Sequence, residues 1–193
     1  VKPALRPDPK YFQAFGRLMK MLQESLPPVP ARPVKVYVAG GAAVHLYTGA
    51  RFSADVDARI DLPRVALSPD LKVTYRDPDG LPRILYYDMQ YNETVALLHE
   101  DVHDESVSIR VPGVDPKRLD VRLFSPVDLA VSKLARLEPH DLEDILALAK
   151  AGLIDEDCVR RRAEEALPGY VGQVGRLRNS IDIACRKIRA VRR

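Results

Sequence analysis

Apolar residues recur at Phe12, Phe15, Leu18, Met19, Leu22 and Leu26, the three-and-four spacing of one face of a helix over 11–26. Asp8-Pro9 supplies a cap and a proline for its first turn. Pro27-Pro28-Val29-Pro30, with Pro33 beyond, is a stiff linker into a buried strand, Val36 to Ala39. A Gly40-Gly41 turn, a short helix and a second strand carrying Asp55 and Asp57 follow. Two further strands, Leu71 to Tyr75 and Arg83 to Tyr87, flank the turn Asp77-Pro78-Asp79-Gly80. Ser106 to Val111 forms another strand, closed by Pro112-Gly113. Leu119 to Phe124 alternates strictly, so Asp120 projects opposite to Leu119, Val121 and Leu123.

The period then changes. Ser125-Pro126 opens a helix over 127–137; Pro139 breaks and restarts it to Ala151, and Gly152 caps its end. A charged helix over 155–167, a Pro168–Gly172 break and a last helix with apolar Val174, Leu177, Ile181, Ala184, Ile188 and Val191 complete the chain. The expected fold is α/β (α+β): residues 1–125 as a small mixed-sheet core with its N-terminal helix, and 126–193 as a helical region packed on it.

Composition changes this picture little. With 46% apolar and 30% charged residues among 193, the chain suits one well-packed domain or a small core with a helical appendage. Cys158 and Cys185 show no metal or redox spacing, no apolar run reaches a membrane span, and the first residues lack a signal-peptide layout. A cytoplasmic protein without membrane attachment is expected. Charge is less even than the net +3 suggests. From Val159 onward ten Lys/Arg stand against three Asp/Glu, and such a segment suits RNA phosphates or, equally, a solvated arginine face. The adjacent acids and histidines of 99–105 lack the spacing of a metal site and suit a solvated loop.

The candidate chemistry lies between Val36 and Ile60. A strand running into glycines at a helix start lets backbone N–H groups point at an anion. Asp55 and Asp57, two apart on a strand, share a face and form a carboxylate pair suited to Mg²⁺ and to phosphates that share its coordination. Glycine turn and carboxylates together suggest one site for a metal-bound triphosphate.

Ala39-Gly40-Gly41 followed by Asp55-Val56-Asp57-Ala58 resembles the signature of the nucleotidyltransferase superfamily with the polymerase-beta-like core. Arg51-Phe52-Ser53-Ala54-Asp55-Val56-Asp57 further resembles the Arg-x-Ser-x-Asp-x-Asp of AbiEii-type toxin nucleotidyltransferases. Their second signature, a helical lysine and then Arg/Lys-Asp-x-x-Asp, is similar to Lys133 followed by His140-Asp141-Leu142-Glu143-Asp144, with His140 where a basic residue is usual.

The resemblance implies transfer of a nucleoside monophosphate from an NTP to an acceptor hydroxyl with two Mg²⁺ ions. Asp55, Asp57 and Asp120 would be the metal ligands and catalytic residues, with Asp120 as general base. Gly40, Gly41, Arg51, Ser53, Lys133 and Asp141 would bind the nucleotide. Glu143 and Asp144 suit either function or an ordinary solvated helix face. The resemblance also implies an RNA acceptor, tRNA ends foremost, and the toxin half of a toxin–antitoxin pair with a cognate antitoxin. Two other classes stay open: a non-catalytic nucleotide- or RNA-binding relative, and a module whose last helix binds a partner.

Overall fold

Asp8 opens the first helix. Its Oδ1 accepts hydrogen bonds from the backbone N–H of Lys10 (3.0 Å) and Tyr11 (2.9 Å), and Pro9 occupies the first turn. The computed structural model describes residues 3–26, 32–62, 67–68 and 70–192. The proline linker over 27–30 lies outside the described residues. Helix α1, Pro9–Glu24, buries Phe15, Leu18, Met19 and Leu22. Tyr11 is fully buried where Phe12 is only half-buried, because its ring packs on His45, with centroids 4.2 Å apart, and against Phe52 and Tyr75.

The fold is α+β, with six α-helices and two small mixed sheets among the described residues. The first strand β1, Val34–Val38, runs into helix α2, Gly40–Thr48. The Asp-x-Asp segment then divides. Strand β2 is only Asp55–Val56, and strand β3 is Ala58–Ile60, with Asp57 between them. The hairpin expected around Asp77–Gly80 forms as β4, Lys72–Arg76, and β5, Pro82–Tyr87. Of the strand expected over 106–111 only β6, Val107–Ser108, forms. Strand β7 is Leu119–Leu123 and keeps its alternation, with Leu119, Val121 and Leu123 buried. One sheet has the order β3-β1-β7-β6, the other β2-β5-β4. Two-residue β2 and three-residue β3 thus send one segment into two sheets.

The chain divides into two compact units. The sheet unit comprises Leu5–Tyr91 and Ser106–Leu123, and therefore holds every strand, α1 and α2. The helical unit comprises Val1–Ala4, Asn92–Glu105 and Phe124–Arg193. Its helices are α3 (Pro126–Ser132), α4 (Pro139–Lys150), α5 (Glu156–Ala166) and α6 (Val174–Arg192). Helix α3 stops at Ser132, well before Pro139, and Leu137 takes a left-handed φ of 46° in the connecting turn. The apolar seam of α6 (Leu177, Ile181, Ala184, Ile188) is buried, and α6 packs on α4 and α5. Residues 99–105 are irregular as expected, yet not merely solvated: Val102 is buried and Glu105 pairs with Arg162 at 2.7 Å. Both cysteines are free. Among the described residues no helix is long and apolar enough to cross a membrane.

His45 ties α2 to the start of α1. Its Nδ1–H donates to the carbonyl of Ala50, and Nε2 accepts from the backbone N–H of Asp8 at 3.2 Å. This pattern requires the neutral ring. Burial pushes the His45 pKa down, against the hydrogen bonds to Ala50 and Arg51 and the charge of Asp8, which pull it up. A histidine with a depressed folded pKa stabilises the fold above its unfolded value of 6.5, and that contribution is lost as pH falls through the folded pKa. Urea unfolding at about pH 7.5 and about pH 5 checks this. The wild type loses more stability on acidification than His45→Gln does.

Candidate functional site

Strand β1 ends against the start of α2, and Asp57 lies beside that junction, its carbonyl accepting the N–H of Ala39 at 2.8 Å. Gly40 has a φ of +61°. A Cβ there would fall 1.9 Å from Asp57 Oδ2, so both the backbone conformation and the space demand glycine. A Cβ on Gly41 would meet Ser53 Oγ at 2.8 Å and Arg51 Nη2 at 2.9 Å. The two glycines thus bring Asp57, Ser53 and Arg51 against the first turn of α2. Ala39 stands at the N-cap and offers that turn no side-chain hydrogen bond. Ser53 is buried and donates its hydroxyl to Asp55 Oδ1 at 2.6 Å, so it orients a carboxylate. Gly40→Ala therefore displaces the Asp57 carboxylate and forces an alanine into the left-handed region, so thermal melts should show stability lowered by about 1–2 kcal/mol or more.

Strand pairing adds a carboxylate that the motif does not contain. Strand β2 runs parallel to β5, with Asp55 opposite Tyr86 and Val56 opposite Tyr87. The ladder continues one step, Asp88 N–H donating to the carbonyl of Val56 at 3.1 Å, which sets Asp88 beside Asp57. Asp55, then burial, Asp88 and Asp57 all hold the Tyr86 hydroxyl above the usual phenol range. Asp88 continues the alternation of Ile84 and Tyr86, one residue beyond the strand. That alternation was the only signal in the sequence, because the parallel partner β2 is two residues long.

Asp120 is not brought to this cluster. In the β1–β7 register Asp120 lies opposite Lys35, whereas Asp57 is level with Ala39. The four-residue offset is roughly 13 Å along the strands, and β1 separates β3 from β7 by a further two strand spacings, about 9–10 Å. Asp120 is instead held by Arg122 (Nη1 to Oδ2, 3.0 Å) and by the hydroxyl of Ser108. Register, invisible in the motif, decides this.

In the helical unit Lys133 and Asp141 do meet, as part of a buried ion cluster. Lys133 Nζ lies 2.9 Å from Asp144 and 3.5 Å from Asp141. Arg136 reaches both oxygens of Asp141 at 2.8 Å, and the N–H of Glu138 donates to it at 3.1 Å. Burial would raise the Asp141 carboxyl; the Arg136 hydrogen bonds, the Lys133 charge and the Glu138 N–H outweigh it and hold the group below the usual carboxylate range. Asp144 is 2% exposed, so it is not a solvated helix charge. The basic C-terminal segment is likewise partly committed to the fold. Arg160 pairs with Asp182, Arg189 with Glu156 and buried Arg162 with Asp128, while Arg176, Arg178, Arg186 and Lys187 stay exposed.

The profile of a protein family described as a nucleotidyltransferase of unknown function, DUF6036, matches residues 16–173. The chain belongs to this family. That span takes in the glycine turn, the Asp-x-Asp, Asp88, Asp120 and the Lys133 cluster. The chain is also 38% identical over 120 residues to an FAD synthase of Halorhabdus utahensis, a match covering 59% of this chain and 70% of that protein. No solved structure matches. Both findings support nucleotidyl transfer at the general level.

Among the described residues no group of three or more His, Cys, Asp or Glu side chains is close enough to hold a metal by itself. The donors present still fit Mg²⁺, a hard cation that keeps waters and shares its coordination with substrate phosphates. One or two carboxylates beside an anion-binding helix start are what such an ion requires.

Proposed function

We propose that this chain transfers a nucleoside monophosphate from an NTP to an acceptor hydroxyl at the sheet-unit site. The observation that carries the proposal is the fit between Gly40 and Asp57: a left-handed glycine at a helix start whose N-cap residue, Ala39, offers no side-chain cap, with a carboxylate where the glycine's Cβ would be. Backbone N–H groups of the first turn of α2 would receive the triphosphate, since they lack intrahelical partners and the helix dipole favours anions there. Arg51 would contact phosphate oxygens as a cation. Asp55, oriented by Ser53, and Asp57 would hold Mg²⁺, two ions in the full complement. Bound Mg²⁺ supplies orientation of the triphosphate and neutralisation of charge on the leaving pyrophosphate.

In the reaction the acceptor oxygen bonds to the α-phosphorus, the bond to the β-phosphate breaks, pyrophosphate leaves, and Asp88 takes the acceptor proton. The half-exposed ring of Tyr86, opposite Asp55, offers a surface for the nucleoside. Lys133 and Asp141, by resemblance to the AbiEii-type signature, are proposed as nucleotide-binding residues, Lys133 for the phosphates.

RNA, tRNA ends foremost, is the acceptor that the same resemblance favours, with a toxin role and a cognate antitoxin behind it. The exposed arginines of α6 would add phosphate contacts. The match to an FAD synthase supports a second reading, a small flavin nucleotide as acceptor. The test is transfer from each labelled NTP in turn, with Mg²⁺ and either total RNA or FMN, by wild type and by Asp55→Ala/Asp57→Ala. Label in RNA with wild type alone supports the first reading, and label in FMN the second. No incorporation by any combination contradicts both.

A further inference from the structure

A second electropositive feature lies in the sheet unit. A groove of about 750 Å³ runs between α1 and the β4–β5 hairpin. Among the described residues four cations line it, Lys10, Arg17 and Lys20 from α1 and Arg76 from β4, and no carboxylate does. Three of these side chains are anchored on neutral carbonyls: Lys10 Nζ donates to Asp77 O (3.0 Å), Arg17 Nη2 to Thr74 O (2.8 Å) and Arg76 Nη1 to Gly80 O (2.7 Å). Carbonyl contacts fix the cations without neutralising them. None of the four makes an ion pair among the described residues. The groove therefore holds charge that the fold itself does not use, in contrast to Arg160, Arg162 and Arg189.

The spacing distinguishes a strand of phosphates from a single one. Lys10 to Lys20 spans roughly 15 Å along α1. Four cations distributed over that length meet several consecutive phosphates better than one compact anion. Strand β5 connects the groove to the transfer site, since Pro82 lines the groove and Tyr86 stands opposite Asp55 four residues on, roughly 13 Å away.

We propose that this groove binds the phosphodiester backbone of an acceptor RNA strand and leads its end toward Asp55 and Asp57. The proposal rests on the RNA-acceptor reading above and deepens it. The groove reads charge and length: Tyr75, the aromatic residue that lines it, is 9% exposed and offers no open stacking face.

The test is fluorescence anisotropy of a labelled single-stranded RNA of about 12 nucleotides on the full chain, across a salt series. With four phosphates neutralised, log affinity falls against log salt with a slope near −3, and Arg17→Gln/Lys20→Gln halves it to about −1.4. At about 0.1 M salt the double variant binds RNA at least about tenfold more weakly, while its affinity for Mg²⁺–ATP is unchanged. Lys20→Gln alone, which removes no hydrogen bond to the fold, loses about one quarter of the slope. A DNA strand of the same sequence binding equally well supports backbone recognition by the groove.

Unchanged RNA affinity in both variants overturns the proposal. So does competition by tripolyphosphate as effective as by RNA, or loss of Mg²⁺–ATP binding along with RNA binding. Wild type that binds RNA through the groove but never binds Mg²⁺–ATP leaves the groove standing and removes the transfer reaction instead.

Discussion

Asp57→Asn reduces nucleotidyl transfer on the order of a thousandfold or more, whereas Asp120→Asn stays within a few-fold of wild type. Asp57 is the carboxylate against which Gly40 is built; Asp55 precedes it by two residues on the same segment, and Asp88 lies beside it across the ladder. Converting a carboxylate to an amide keeps its shape and removes the charge a hard cation needs. Asp120 is four positions away along the strands and already serves Arg122 and Ser108. Its loss leaves the half-buried Arg122 still held by the hydroxyl and the carbonyl of Ser106. Asp88→Asn behaves like Asp57→Asn in rate. Steady-state transfer with pyrophosphate release as readout separates the three, and equal damage from Asp57→Asn and Asp120→Asn would contradict the register argument.

Lys133→Met lowers the stability of the chain by about 3–5 kcal/mol, because it leaves Asp141 and Asp144 buried with one cation fewer. For a chain of this length that is a fall of roughly 6–20 °C in melting temperature. Arg136 still covers Asp141, so the greater part of the loss falls on Asp144, and adding Asp144→Asn to Lys133→Met recovers part of it. Thermal melts of the single and double variants measure this directly. Transfer assayed well below both melting points then isolates any phosphate contact by Lys133 from its part in folding. An undiminished melting temperature would mean that the ion cluster contributes nothing to the fold.

Local chemistry was legible in the chain. Asp8-Pro9 and Ser125-Pro126 cap the helices they precede, the Asp77–Gly80 turn joins the strands it separates, and Gly40-Gly41 stands where a strand meets a helix. Asp57, and Asp55 through Ser53, stand beside the glycine turn because they are close in sequence to the elements that build it. What the chain did not disclose is non-local. Strand β7 is parallel to β1 at a register set by packing of Val121 and Leu123, and nothing in the alternation of 119–124 states which partner residue Asp120 will face. Asp88 reaches the site through a two-residue parallel pairing too short to leave a pattern. The burial of Asp144 and Arg162 was hidden for a related reason. Charged residues on a helix face are usually solvated, and only their tertiary partners, Lys133 and Asp128, reveal otherwise.

The most direct measurement is a crystal structure of the full chain soaked with Mn²⁺ and a non-hydrolysable NTP analogue, read by the anomalous signal of the metal. The account predicts manganese on the Asp55 and Asp57 carboxylates, Asp88 next to it, and triphosphate density at the first turn of α2. Manganese at Asp120 without Asp57, or analogue bound away from Gly40 and Gly41, would contradict it.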